Sequence, residues 1–251
     1  MDVLVCVKRV PATGAKIPLT ADGSEVDTRH LGFTIGPHEE CAVEEAARIV
    51  ARTGGTATVL TVGPADAVEQ LRYAISLGVT DGVLVETGEA DLDPQATAAA
   101  IVAALREHGR RFDLVLFGNE SADAGNYQVG IRVAHALGLP IVGQVKGIEF
   151  GDGTATLRRE AASGVEICEV PLPAAVAVKE GLNLPRYPSI KGRLRAKKAE
   201  IRVLTPAVAA GGLRKVRLRP PPEAERETVV LGRGPEAAGP VVDVLAKLGV
   251  V

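Results

Sequence analysis

The residues best placed to do chemistry in this chain form one run, Gly118 to Gly130, which reads GNESADAGNYQVG. It is small, polar and punctuated by glycine, and it follows the apolar run that starts at Asp113 and Leu114. Glycine and alanine let a backbone approach a ligand closely. A helix entered from such a loop offers unpaired N–H groups at its positive end. The chemistry expected is therefore anion holding, with a phosphate against the backbone of Gly125 to Val129. No Gly-Lys-Ser/Thr follows, so phosphate cleavage of the Walker type is disfavoured. An ordinary strand-to-helix turn capped by Asn126 or Asp123 explains the same residues, and spacing alone leaves both readings open.

A second group is basic. Arg186, Lys191, Arg193, Arg195, Lys197 and Lys198 surround a lone aliphatic, Ile190. A nucleic-acid patch, a solvated loop and a docking surface for an acidic protein all fit the charge. Only Tyr187 interleaves as an aromatic, which gives base stacking little support. A single aliphatic in a charged segment suits docking, because charge steers the encounter and the anchor supplies apolar burial. His38 stands beside a helix start, where contact with a nucleotide and plain surface exposure are equally open. His30, His108 and His135 share no spacing with each other or with the cysteines. Cys6, Cys41 and Cys168 are odd in number, far apart and without metal-like spacing, which points to reduced structural thiols. Cys6 falls inside a strand, where a small core residue near the ligand is expected and a nucleophile is not. No Ser–His–Asp or paired-carboxylate arrangement stands out.

These groups need a frame. Val3 to Val7 is a short unbroken apolar run, as expected of a strand buried on both faces. A polar, extended stretch from Pro11 to Gly36 follows. Pro37, Glu39 and Glu40 then open a helix, since proline suits the first turn and the acids complement the positive end. Val43, Ala46, Ala47 and Val50 recur at helical spacing, and Gly54 and Gly55 end it. The unit repeats: a strand over Ala57–Val62, a helix over Asp66–Leu77, and a third strand over Gly82–Val85. Asp93 caps a third helix with Pro94 at its first position. A fourth strand over Asp113–Gly118 leads through the small-residue loop into a helix from about Gly125 to Leu137. Strands and helices alternating on this scale imply right-handed βαβ units. The fold class is α/β: a doubly wound parallel sheet with helices on both faces. Ligands of such sheets gather outside the carboxyl strand ends, where strand order reverses.

From about residue 141 the pattern changes. Val145–Phe150, Thr154–Glu160 and Val165–Val170 read as strands joined by glycine-containing turns, and Pro173–Val178 as another apolar strand. This gives a nucleotide-binding domain over residues 1–180 with a short β-rich extension at about 141–180. Past Glu180 the chain is basic and proline-rich, and Pro220, Pro221 and Pro222 argue against compact structure there. Residues 201–251 read as a partner-wrapping C-terminal arm, with one amphipathic helix between Gly239 and Val251. The 251 residues carry a net charge of −2, which makes no case for nucleic acid or an anionic membrane. Hydrophobic residues are 46% and aromatics 3%, so the core must be built from Val, Ala, Leu and Ile. No run approaches the roughly 18 apolar residues of a membrane span, and no leader is evident at the start. A cytoplasmic protein without direct membrane insertion is expected.

The ordered motifs resemble one family. Val7–Pro11 (VKRVP), Pro37–Ala46 (PHEECAVEEA), Gln70–Gly78 (QLRYAISLG), the loop at 118–130, Gly181–Ile190 (GLNLPRYPSI) and Arg195–Lys198 (RAKK) resemble electron transfer flavoprotein β subunits. The resemblance implies an electron carrier subunit and not an enzyme acting alone. It implies an α-subunit partner that holds most of the redox FAD, and a structural AMP in this chain. By position the AMP would meet Cys6, Gly36, Pro37, His38, Glu39, Val62, Gly118, Asn119, Glu120, Ser121, Ala122, Asp123, Ala124, Gly125, Asn126, Tyr127, Gln128 and Val129. Glu160 stands where the family forms an inter-subunit salt bridge. Residues 181–200 match its recognition loop, with Leu182, Arg186, Tyr187, Ile190, Arg195 and Lys198 facing docked flavin dehydrogenases and Ile190 as anchor. A quinone-linked oxidoreductase is the implied acceptor. Two departures stand out: Thr13 replaces an aromatic that many relatives place near the flavin, and Ala124 and Gly125 thin the acids beside Asp123. Some relatives hold a second FAD in place of AMP; the loop lacks the run of acids associated with them, so AMP is expected.

Two other readings share the fold class. A homodimeric nucleotide-binding signalling protein would need neither the basic segment nor the long arm. An adenylating enzyme would need a Ser/Gly pyrophosphate loop after the first strand, which Lys8–Pro11 does not provide.

Overall fold

The computed structural model describes residues 1–12, 14, 17–88, 92–207, 211–222 and 228–251. Thr13 lies outside them. Strand β1 (Val3–Val7) is buried along its whole length. Its alternate residues face opposite ways: Val3, Val5 and Val7 join one core layer, Leu4 and Cys6 the other. The short strands β2 (Val10–Pro11) and β3 (Phe33–Thr34) form a separate antiparallel pair. Helix α1 (Pro37–Thr53), strand β4 (Ala57–Gly63), helix α2 (Val68–Leu77) and strand β5 (Asp81–Glu86) follow. Helix α3 (Pro94–His108) starts at Asp93, whose carboxylate accepts from the Ala96 N–H at 2.8 Å. Strand β6 (Leu114–Gly118) and helix α4 (Val129–Leu137) complete the repeats.

The remaining elements are strands β7 (Ile141–Phe150), β8 (Thr154–Ala161), β9 (Gly164–Pro171) and β10 (Ala174–Val178), helix α5 (Ile190–Lys198), strand β11 (Ile201–Leu204) and helix α6 (Ala238–Lys247). One nine-stranded sheet runs in the order β11-β5-β4-β1-β6-β10-β7-β8-β9. It is parallel from β11 to β7, and β8 and β9 are antiparallel additions. The chain steps outward from β1 through β4 to β5, then returns to lay β6 on the other side of β1. Strand order therefore reverses between β1 and β6. Helices α1 and α2 contribute to the core layer on one face, and α3 and α4 to the layer on the other. This is the doubly wound α/β sheet that the periodicity predicts.

Three elements differ from the sequence-based expectation. The extension is not merely appended, because β10 is inserted between β6 and β7 and pairs parallel with both. Its five residues, Ala174 to Val178, are all buried, which only an interior strand allows. Helix α4 starts at Val129 and not near Gly125, since Gly125 and Tyr127 have φ of 55° and 57°, outside the helical region. The basic segment is not all loop. Ser189 accepts from the Gly192 N–H at 3.0 Å and starts α5, whose last turn carries Arg195, Lys197 and Lys198 at the negative end.

Candidate functional site

A cleft of about 800 Å³ opens at the carboxyl ends of β1 and β6, where strand order reverses. Its volume lies in the range of cofactor sites. Lys8 and Arg9 leave β1 on one side, and Gly118 to Ser121 leave β6 on the other. Leu60, Val62, Ile101, Phe117 and Ala177 give it an apolar interior. The mouth is partly framed by Glu25, Val26 and Thr28 from the stretch ahead of β3.

Glu39 is the most perturbed carboxyl in the cleft. It sits in the first turn of α1 yet is 3% exposed, because the α1 start packs directly against β6. A Cβ at Gly118 would lie 2.9 Å from both Glu39 Cγ and Cδ and 3.1 Å from its backbone nitrogen. Only glycine lets the strand end and the helix start approach so closely. Burial pushes the Glu39 carboxyl up to about 7; Asp123 adds to the rise, while the Glu39 backbone N–H and Lys8 act against it. Its Oε2 has no hydrogen-bond partner among the described residues. An unpartnered buried carboxyl lining a cleft is suited to a ligand hydroxyl or amine.

Lys8 reaches across the cleft to Asp123, with Nζ 2.7 Å from Oδ2 and 2.8 Å from Oδ1. Burial raises the Asp123 carboxyl, but the Lys8 hydrogen bond and charge outweigh it and hold the group below its usual value. Asp123 also accepts from the Ala124 N–H at 2.7 Å, and the Gly125 N–H closes a turn onto the Ser121 carbonyl. Neither Asp123 nor Asn126 caps α4: Gln128 occupies that position without a side-chain cap bond. The first intrahelical bond runs from Arg132 N–H to the Gln128 carbonyl at 2.9 Å. The N–H groups of Val129, Gly130 and Ile131 precede that ladder at the positive helix end, and all three residues line the cleft.

His38 ties the loop to the rest of the chain. Its Nδ1 accepts from the Glu180 N–H at 2.8 Å, which leaves Nε2, 3.3 Å from Glu120 Oε1, as the N–H donor. Asn119 is occupied in the same way, with Oδ1 accepting from the Gln144 N–H at 2.8 Å. Of the positions expected from the sequence, Cys6, Glu39, Val62, Gly118, Asn119, Glu120, Ser121, Asp123, Asn126, Tyr127, Gln128 and Val129 line the cleft. Gly36, Pro37, His38, Ala122, Ala124 and Gly125, also expected there, are not among the residues that line it. Burial raises the Cys6 thiol, consistent with an inert core cysteine. Sequence reasoning missed Lys8, Arg9, Thr97 and Ile101. Lys8 and its partner are 115 positions apart, so no spacing rule connects them. Among the described residues no group of His, Cys, Asp and Glu is placed to hold a metal ion.

Away from the cleft, Glu160 lies between Lys146 at 2.8 Å and Lys179 at 3.4 Å, and these two lysines lower its carboxyl. Leu182 packs against the core, whereas Tyr187 and Ile190 are 96% and 82% exposed. Arg186 and Arg195 point inward to partners in this chain: Arg186 binds Glu44, and Arg195 Nη2 donates to the Ile75 carbonyl at 2.7 Å. Lys198 is exposed at the end of α5.

The family model described as "Electron transfer flavoprotein domain" matches residues 25–209. The electron transfer flavoprotein subunit beta of Syntrophomonas wolfei is 36% identical over 225 residues, covering 88% of this chain and 86% of that protein. The subunit of the same name from Bacillus subtilis is 34% identical, covering 81% and 79%. The acryloyl-CoA reductase electron transfer subunit gamma of Anaerotignum propionicum is 31% identical, covering 76% and 73%.

Proposed function

This chain belongs to the electron transfer flavoprotein family, and on that premise we propose that it works as the β subunit of a heterodimeric electron carrier. Its cleft buries a structural AMP, and the chain helps an α subunit hold the redox FAD. The heterodimer then takes electrons from flavin dehydrogenases and delivers them to a quinone-linked oxidoreductase, inside the cytoplasm. The flavin supplies the redox chemistry when bound, and the residues of this chain bind, orient and exclude water. The observation that carries the reading is the cleft at the β1/β6 reversal, walled by the 118–129 loop. Its parts fit a nucleotide monophosphate: apolar walls at Leu60, Val62 and Ile101 for a base, and the α4 start for a phosphate. Glu39 Oε2 is left over for a hydroxyl or amine.

Docking is supported by the exposed anchor Ile190 beside exposed Tyr187 and the basic α5. Glu160 stands at the surface, where an arginine of a partner could compete with Lys146 and Lys179 for it. A second reading, a flavin dinucleotide in the same cleft, is favoured by the cleft's volume of about 800 Å³. Co-expression tests the proposal. The chain purified alone is expected to be colourless and poorly stable, and with its α subunit it is expected to be yellow. A stable, bright yellow homodimer would contradict it.

A further inference from the structure

The segment between β10 and α5, with the first residue of α5, displays apolar side chains that stand exposed among the described residues. Leu184 is 84% exposed, and Tyr187 and Ile190 are more than four-fifths exposed. From Asn183 to Pro188 the backbone has no regular structure. With these three side chains outside the core, polar contacts do much to fix the segment's shape.

Those contacts come from one face of α1. The Glu44 side chain is 2% exposed and accepts four bonds: from Arg48 Nε at 2.6 Å, and from Arg186 Nε at 2.7 Å, Nη2 at 2.9 Å and backbone N–H at 3.3 Å. The Arg186 fork meets both carboxylate oxygens, which fixes direction as well as distance. Arg48 Nη2 also donates to the Leu184 carbonyl at 3.2 Å. Asn183 Nδ2 likewise donates to the Cys41 carbonyl at 3.0 Å and to Glu45 Oε2 at 3.1 Å. The motifs at Pro37–Ala46 and Gly181–Ile190, separate in sequence, are thus one polar unit.

We propose that Glu44 is the positioning residue that presents Leu184, Tyr187 and Ile190 to the docking partner, an inference that rests on the docking reading above. Glu44 touches neither partner nor flavin in this role. It acts through Arg186, and the partner binds the fraction of molecules whose segment is held in place.

The test uses the co-expressed heterodimer, with a flavin dehydrogenase from the same organism, reduced by its own substrate, as electron donor. Glu44→Gln keeps the shape but loses the charge, and Arg186→Lys keeps a charge but loses the fork. Loss of one charge-assisted bond is expected to raise KM for the carrier about tenfold in Glu44→Gln. Arg186→Lys should shift it in the same direction, with kcat, flavin content and reduction by dithionite unchanged in both. Dithionite needs no docking, so it separates presentation from damage to the redox site. Ile190→Ala serves as the control for the docking reading. If Ile190→Ala raises KM while neither Glu44→Gln nor Arg186→Lys does, the positioning role is overturned and docking stands. If Ile190→Ala leaves KM unchanged, the docking reading itself fails. Should Glu44→Gln not assemble, backbone hydrogen exchange in the Arg186→Lys heterodimer decides. Faster exchange confined to residues 183–190 supports the role, and unchanged exchange overturns it.

Discussion

At neutral pH Glu39 is balanced between its two protonation states, because burial pushes its carboxyl up to about 7. The unfolded carboxyl ionises near 4.5. Below that value both states hold the proton and folding is unaffected. As pH rises from there towards 7 the unfolded chain releases its proton first, so stability is lost across that window. Among the groups that shift Glu39, only Lys8 favours its ionised form through charge. Glu39→Gln is expected to match the parent heterodimer in thermal stability at pH 4 and to exceed it at pH 8, by up to about 3 kcal/mol. Equal stability gains at both pH values would show that the proton is not the cause. The glycine and small-residue character of Gly118 to Gly130 was legible in the sequence, because backbone access is a property of residue type. The burial of Glu39 and the Lys8–Asp123 pair were not, because they arise only when β1, α1 and β6 converge.

Gly118 and Gly192 each stand where two elements meet closely, and each makes a separable prediction. A Cβ at Gly118 would press on Glu39 and its backbone, part the α1 start from β6 and distort the cleft. Gly118→Ala is expected to cost about 1–3 kcal/mol and to lower the nucleotide content of the purified heterodimer. At Gly192 a Cβ would collide with the Ser76 carbonyl oxygen, where α5 packs on the end of α2. Gly192→Ala is expected to lower the melting temperature while nucleotide content stays constant, read by scanning calorimetry and absorbance of the released nucleotide. Loss of nucleotide in that variant would mean that α5 supports the cleft and not only the docking segment. The repeating βαβ units were legible, since buried strands and capped helices leave local patterns such as Val3–Val7 and Asp93–Pro94. The insertion of β10 was not, because a buried run such as Ala174–Val178 does not say which neighbours it joins. Helix α5 was hidden behind prolines at 185 and 188 and a dense positive charge.

Across the whole molecule the apolar surface is unevenly finished. The sheet interior is closed on both faces, but Val229, Val230, Val242, Leu248 and Val250 in the last stretch are more than half exposed. Helix α6 has no buried residue. Exposed apolar surface of this extent marks a binding face, which supports the C-terminal arm as the part that meets the α subunit. Ending the chain after residue 228 is therefore expected to abolish co-purification with that subunit, measured by tagged capture of the co-expressed pair; undiminished recovery would place the interface elsewhere. No helix among the described residues is long and apolar enough to cross a membrane. A change of pattern after residue 180 was legible, but the return of the chain was not: β11, within residues 201–251, completes the sheet beside β5. On the reading proposed above, the β1/β6 cleft holds an adenine nucleotide inside a two-subunit carrier. Denaturing the purified heterodimer and identifying the released nucleotides by mass tests it most directly. Equal amounts of AMP and FAD are the predicted result, and FAD in single stoichiometry with no second nucleotide would contradict it.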